Sequence, residues 1–361
     1  MSLVRVGIIG LGYGANIQLP AFSSIPNVEV VAVADADDKR MRRITSTTKG
    51  LKGLNDWRYM IDDDGIDAIS VATPPSFHPE MVCAALASGK HVLCEKPFGR
   101  NMDDARRMCE AAEDSDLVNV IDFEFRMEPG IAKLKHLVDE GMIGPTNRID
   151  VTWFTGGRSD PSLLWSWQHN VDAGGGVLEA FGSHVIDYVE WICQTSVVSV
   201  TARSHILIDH RKGIDGVERE VTAEDSCDII CDLANGAVAS LKFSNSYPYP
   251  SGHRIEMYGE HGRLVYEHEA PFLSGSAKLW METHSRKMEQ VKLAKYQLEK
   301  GLDSRALTFR ELAKRFSGAA IGLDVRGLPN FTCGLRVRRV LQAVRVSLAT
   351  CKKVSVFDGA E

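Results

Sequence analysis

The most restrictive feature of this 361-residue chain lies near its start, where the nearly all-apolar run Val4–Ile9 stops at Gly10-Leu11-Gly12-Tyr13-Gly14-Ala15. A continuous apolar run of this length is what a strand buried on both faces requires, whereas a half-solvated strand alternates. The glycines fit the G-x-G-x-x-(G/A) turn that leads such a strand into a helix. Gly10 serves the turn, Gly12 lets backbone approach a pyrophosphate, and Ala15 lies where the helix packs on the strand. The next apolar run, Val28–Ala34, ends in Asp35, 20 residues after Ala15. A carboxylate there accepts hydrogen bonds from ribose hydroxyls and repels a 2′-phosphate. The expected cofactor is therefore NAD, with NADP disfavoured. Gly10, Gly12, Tyr13, Gly14, Ala15 and Asp35 are expected to hold it.

The alternation continues. Residues 66–72 form a third apolar run, 79–88 read as a helix with Pro at its start and Gly89 beyond its end, and His91–Cys94 is a fourth strand. Asn101 is the expected N-cap of a helix with Asp103 and Asp104 in its first turn. Strand, helix, strand at this spacing predicts an α/β fold with a parallel, doubly wound sheet. From about Val151 the texture changes. Segments 227–232 and 237–243 alternate and are joined across Asn235-Gly236, a strong hairpin signal. Helical patches at 131–140, 184–192 and 331–348 make this second part α+β. The expected domains are 1–122 and 123–361, and 267–322 resists assignment.

The net charge of −6 argues against a sequence-independent grip on nucleic acid or anionic lipid, which needs surplus Lys and Arg. The expected partner is a small molecule or protein. The eight cysteines are scattered, with no zinc-ribbon or dithiol spacing; Cys227 and Cys231 read as small apolar side chains on a strand. The dispersed histidines give no metal spacing, so no metal is expected. MSLVRVGIIG runs straight into a strand pattern, and no apolar run approaches membrane-spanning length, so a cytoplasmic location is expected.

The stretch ATPPSFHPEMVCAALASGKHVLCEKPFG at 72–99 resembles the Gfo/Idh/MocA oxidoreductases. Thr73, Pro74 and His78 correspond to the family's TP-x-x-x-H motif, and Glu95, Lys96 and Pro97 to its EKP motif. The likeness includes QLPA after the glycine loop (usually HLPA), FEFRMEP at 123–129, GMIGP at 141–145, GGGVLEAFGSHVID at 174–187 and residues 222–244, then fades after about Leu264. The resemblance implies an N-terminal Rossmann-type NAD(P) domain and a C-terminal domain with a large open, mostly antiparallel sheet. It further implies homodimers or homotetramers, and a secondary alcohol or ketone of a sugar, cyclitol or related molecule as substrate. Thr73, Pro74, His78, Glu95 and Lys96 join the expected cofactor residues.

Moving a hydride between a secondary alcohol and nicotinamide requires a group that takes or returns the hydroxyl proton. Lys96 matches the family's catalytic lysine; a lysine desolvated beside a cationic nicotinamide gives up its proton more readily. His184 matches the histidine that orients or protonates the substrate oxygen. If its segment is helical, Asp187 and Tyr188 share its face, and Asp187 either binds a substrate hydroxyl or orients the imidazole. The chain departs from better-known members in having Ala180 where they carry an aspartate. Glu179 lies about 140° from His184 on an ideal helix and replaces that carboxylate only if Gly182 distorts the turn. Arg126 and Arg158 are candidate anchors for an anionic group, and Trp165 or Trp167 for a sugar face. Two other readings use the same fold: a non-catalytic NAD-binding regulator, and an NAD-dependent glycoside-cleaving enzyme.

Overall fold

The structure, a computed structural model, describes residues 2–269, 277–294, 303 and 306–357. It divides into two compact units, Met1–Met127 with Leu298–Arg336, and Glu128–Gln297 with Val337–Glu361.

In the first unit the strands are β1 (Val4–Ile9), β2 (Val28–Ala34), β3 (Lys52–Leu54), β4 (Ala68–Val71), β5 (His91–Cys94) and β6 (Asn119–Ile121). They form one sheet in the order β3-β2-β1-β4-β5-β6 with every pairing parallel, the doubly wound arrangement the alternation predicts. Helices α1 (Leu19–Ser23), α2 (Asp38–Thr47), α3 (Arg58–Ile61), α4 (His78–Ala87) and α5 (Met102–Glu113) connect them. Asn101 caps α5 by accepting the Asp104 N–H at 2.8 Å, satisfying one of the helix's orphan donors. Ala105, Cys109 and Ala112 form its buried face.

The second unit is built on β7 (Thr146–Phe154), β8 (Val197–His205), β11 (Ser226–Leu233), β12 (Val238–Ser244), β13 (Gly252–Gly259), β14 (Gly262–His268), β15 (Lys278–Thr283), β16 (Arg286–Val291) and β17 (Val354–Ser355). β9 (His210–Lys212) and β10 (Glu218–Glu220) form a separate ribbon. The large sheet runs β16-β15-β14-β13-β7-β12-β11-β8-β17, and β12 with β7 is its parallel pair while the other pairings are antiparallel. The β11–β12 hairpin turns at Asn235-Gly236, where Gly236 takes a φ of 87°. Cys227, Ile229 and Cys231 point into the core and Asp228 and Ile230 out of it, and all eight cysteines are free. Helices α6 (Pro129–Asp139) and α7 (Ser183–Cys193) complete this core; α7 is buried on every face from Ser183 to Glu190.

The last two helices depart from the expected single cut after residue 122. Helix α8 (Ala306–Ala320) belongs to the first unit, where Phe309 packs edge-on to Phe22 with ring centroids 5.5 Å apart. Helix α9 (Phe331–Thr350) starts there too, with Phe331 against Phe98 at 4.8 Å, but belongs to the second unit from Val337. An apolar helix face is legible in sequence; the surface it covers is not.

Candidate functional site

In a parallel sheet all strands end at the same edge, and ligands of such sheets bind there. At that edge of the first unit, β1 runs into Gly10, β2 into Asp35, β4 into Thr73-Pro74, β5 into Glu95-Lys96 and β6 into Asp122. Gly10 has a φ of 96°, and a Cβ there would stand 2.7 Å from the Ala72 carbonyl oxygen. Only glycine fits that turn. A Cβ on Gly12 would meet nothing within 4 Å, so the loop backbone faces open space, as a cradle for a pyrophosphate must. Asp35 accepts the Leu11 amide at 2.7 Å, the Asp37 amide at 2.7 Å and the Arg40 guanidinium at 3.2 Å. A carboxylate has about four acceptor positions. One is left for a ribose hydroxyl, and the residues present fit a dinucleotide.

Beneath Lys96 lies a polar chain. Ser70 Oγ donates to Gln18 Oε1 at 2.8 Å, and Gln18 Nε2 donates to Glu95 Oε1 at 3.0 Å. Glu95 is hydrogen-bonded in turn to Asp122. Burial raises both acids, and the nearby Glu95 charge lifts Asp122 further, so Asp122 stands well above the usual carboxylate range. Two buried carboxyls in contact hold a proton between them because both cannot be charged. The Lys96 charge acts in the opposite direction on each. The Lys96–Pro97 peptide is cis. His78 is fully buried, and its Nε2 lies 2.8 Å from the Thr73 carbonyl oxygen, so it shapes the Thr73-Pro74 loop rather than lining it. Gln18, Ser70 and Asp122 were not singled out in the sequence. Gln18 carried a signal, standing where the family usually has histidine; so did Asp122, an acid closing an apolar run as Asp35 does.

In the second unit His184 and Asp187 are buried on α7, with Tyr188 on the same helical face as the spacing predicts. The Trp153 ring, at the end of β7, stacks on Phe181 at 4.2 Å and on His253 at 4.7 Å, and lies 6.5 Å from the His184 ring. His253 Nε2 is 2.9 Å from the Tyr188 hydroxyl; burial pushes this imidazole down to about 3, so it is neutral at pH 7. Trp153 and His253 lie on strands with no motif around them, and sequence reasoning passed them by. The turn before α7, Leu178–Gly182, is a π-helix, so the distortion at Gly182 does occur. Glu179 nevertheless does not stand in for the missing aspartate: its carboxylate pairs with Arg338 at 3.0 Å and lies 3.9 Å from Arg345.

The anchor candidates separate. Arg126 is buried in the first unit, on the short helix Glu124–Met127. Arg158 and Trp165 belong to the second. Arg158 donates to the Gln168 side chain, and the Trp165 indole N–H donates to the Glu220 carbonyl at 3.0 Å beneath Arg219. Among the described residues no group of three or more His, Cys, Asp or Glu is placed to hold a metal, and no helix is long and apolar enough to cross a membrane.

A parallel sheet whose edge carries a glycine loop bonded to the acid of β2, with a lysine closing β5, defines a dinucleotide-binding oxidoreductase. The chain belongs to the Gfo/Idh/MocA family: residues 4–123 match its oxidoreductase family, NAD-binding Rossmann fold, and residues 131–265 match its C-terminal domain. Levoglucosan dehydrogenase from Pseudarthrobacter phenanthrenivorans is 27% identical over 292 residues, 74% of this chain and 75% of the relative. Myo-inositol 2-dehydrogenase from Thermotoga maritima is 27% identical over 261 residues, 72% and 74% of the two chains. A structure of levoglucosan dehydrogenase with NADH and L-sorbose superposes with a TM-score of 0.87 at 25% identity, covering 98% of each chain.

Proposed function

We propose that the protein is an NAD-dependent dehydrogenase that moves a hydride between the nicotinamide and a secondary alcohol or ketone of a sugar, cyclitol or related small molecule. The observation that carries this reading is the placement of Glu95-Lys96 at the end of β5, on the sheet edge that also holds the Gly10–Ala15 loop and Asp35. Bound NAD supplies the hydride acceptor or donor. Lys96 takes the hydroxyl proton as the carbonyl forms and returns it in reduction. The Glu95–Asp122 pair, anchored through Gln18, fixes the peptide that carries Lys96. His184 bonds the substrate oxygen, and Asp187 bonds a substrate hydroxyl or orients the imidazole. A homodimer or homotetramer is part of the reading, and rests on the family resemblance.

A panel of sugars, cyclitols and their keto and acid forms, followed by NADH absorbance, tests it. Lys96→Ala is expected to lower kcat by about 10²–10⁴-fold, the worth of a positioned proton-transfer group, while NADH still binds. Turnover that survives in Lys96→Ala overturns the assignment of the lysine. Absence of turnover with every compound, alongside tight NAD binding, favours the regulator.

Cofactor choice is tested at Asp35, whose bond to the Leu11 amide also pins the glycine loop. Asp35→Ser is expected to weaken NADH by about tenfold, the worth of a hydrogen bond to a charged group. It also leaves Arg40 without its 3.2 Å partner and so improves NADPH relative to NADH. Paired fluorescence titrations of the two cofactors read both effects; a wild-type preference for NADPH contradicts the role given to Asp35.

A further inference from the structure

The second unit contains a cleft of about 250 Å³, open space at its mouth included. Arg158, Arg211 and His169 line it. Arg211 is 3% exposed. Its Nη1 donates to the carbonyls of Asp160 at 2.7 Å and Leu163 at 3.3 Å, its Nη2 to the carbonyl of Arg158 at 2.6 Å, and its buried Nε has no acceptor among the described residues. Arg158 is bonded to the Gln168 amide oxygen. Both guanidiniums are thus held by neutral oxygens. Burial lowers both; the Arg211 charge lowers Arg158 further, whereas the Asp225 and Asp160 carboxylates raise Arg211.

His169, 8% exposed, accepts the Ser166 amide on Nδ1 at 2.9 Å. A neutral ring that accepts on one nitrogen carries its proton on the other. Burial, then Arg158 and Arg211, push the imidazole down to about 4, so it is neutral at pH 7. Its Nε2–H is buried without an acceptor among the described residues. The cleft's two carboxylates are already engaged. Glu224 is bonded to Arg345 at 2.5 and 3.1 Å and accepts the Leu178 amide at 3.1 Å, while Asp225 accepts the Leu207 amide at 2.9 Å. The Asp160 carboxylate is exposed, and water screens it.

We propose that this cleft binds a compact monoanionic group, a carboxylate or a halide, with one atom seated between the Arg211 Nε–H, the His169 Nε2–H and the Arg158 guanidinium. An anion answers both orphan donors and the charge of Arg158, whose guanidinium has only the neutral Gln168 oxygen as a side-chain acceptor among the described residues. A water answers the donors but leaves the charge. The group comes either from free anion or from the acid end of a polyol substrate, and the second source rests on the dehydrogenase reading.

The test titrates the full chain, without NAD and in a zwitterionic buffer, with sodium formate, sodium chloride, sodium glucuronate and neutral glucose, each followed by calorimetry. Saturable binding of formate and chloride is expected, weakened by about tenfold or more in Arg158→Gln and in Arg211→Lys, which lose charge-assisted hydrogen bonds. Circular dichroism melts check that the variants fold; Arg158→Gln, at a half-buried position, decides if Arg211→Lys does not. Glucuronate binding much tighter than formate, with glucose silent, assigns the group to a polyol acid, and equal affinities assign it to free anion. Absence of saturable anion binding means that the cleft holds water only and overturns the proposal, as does binding unchanged in Arg158→Gln. Because no turnover is needed, failure of the dehydrogenase assay leaves this result standing.

Discussion

Glu128 caps α6 by accepting the Ile131 amide at 2.8 Å, yet burial pushes its carboxyl up from 4.5 to about 7. In the unfolded chain the group returns to its ordinary value. Between about pH 4.5 and 7 the folded protein therefore holds a proton that the unfolded one has released, and stability falls as pH rises through that window, by about 3 kcal/mol for this group. Glu128→Gln is expected to flatten that part of the profile, read by urea unfolding at a series of pH values; an unchanged slope contradicts the assignment. The residue scale is also where the sequence was least legible. Lys96 and His184 announce themselves through motifs. Glu128, Asp122 and His253 owe their chemistry to burial, which depends on what covers them and has no local signature.

The π-helical turn Gly14–Gln18 itself carries Gly14, Ala15 and Gln18, and the π-helical turn Leu178–Gly182 opens α7, which carries His184 and Asp187. A π turn closes i→i+5 and so re-aims the side chains after it relative to an α-helix. The separation of about 140° between Glu179 and His184 applies to an ideal helix, and the distortion at Gly182 on which the sequence reading made Glu179 depend is present, yet the carboxylate goes to Arg338. Gly182 permits the turn to sit close to β12: a Cβ there would lie 3.0 Å from Leu178 Cδ1 and 3.0 Å from Phe243 Cζ. Gly182→Ala is expected to cost about 1–3 kcal/mol as an overpacked contact, measured by urea unfolding. Other elements were legible because their signals are local. The Asn101 cap, the Asn235-Gly236 hairpin and the two-sided burial of β1 each follow from a few adjacent residues.

For the whole molecule, the parallel sheet followed by a larger antiparallel one was readable from the change of periodicity near Val151. The path of the chain between the units was not, because the apolar face of α8 does not name its partner. Phe309, Leu312 and Phe316 of α8 are fully buried in the first unit's core with Leu11 of the glycine loop and with Ile17 and Phe22 just after it. This has a consequence for synthesis. A ribosome delivers the nucleotide-binding strands first and the helix that seals them only after some 300 residues have emerged. Through most of translation the nascent first unit keeps an apolar face open to water and to other chains, and the second unit, which includes Val337–Glu361, is completed later still.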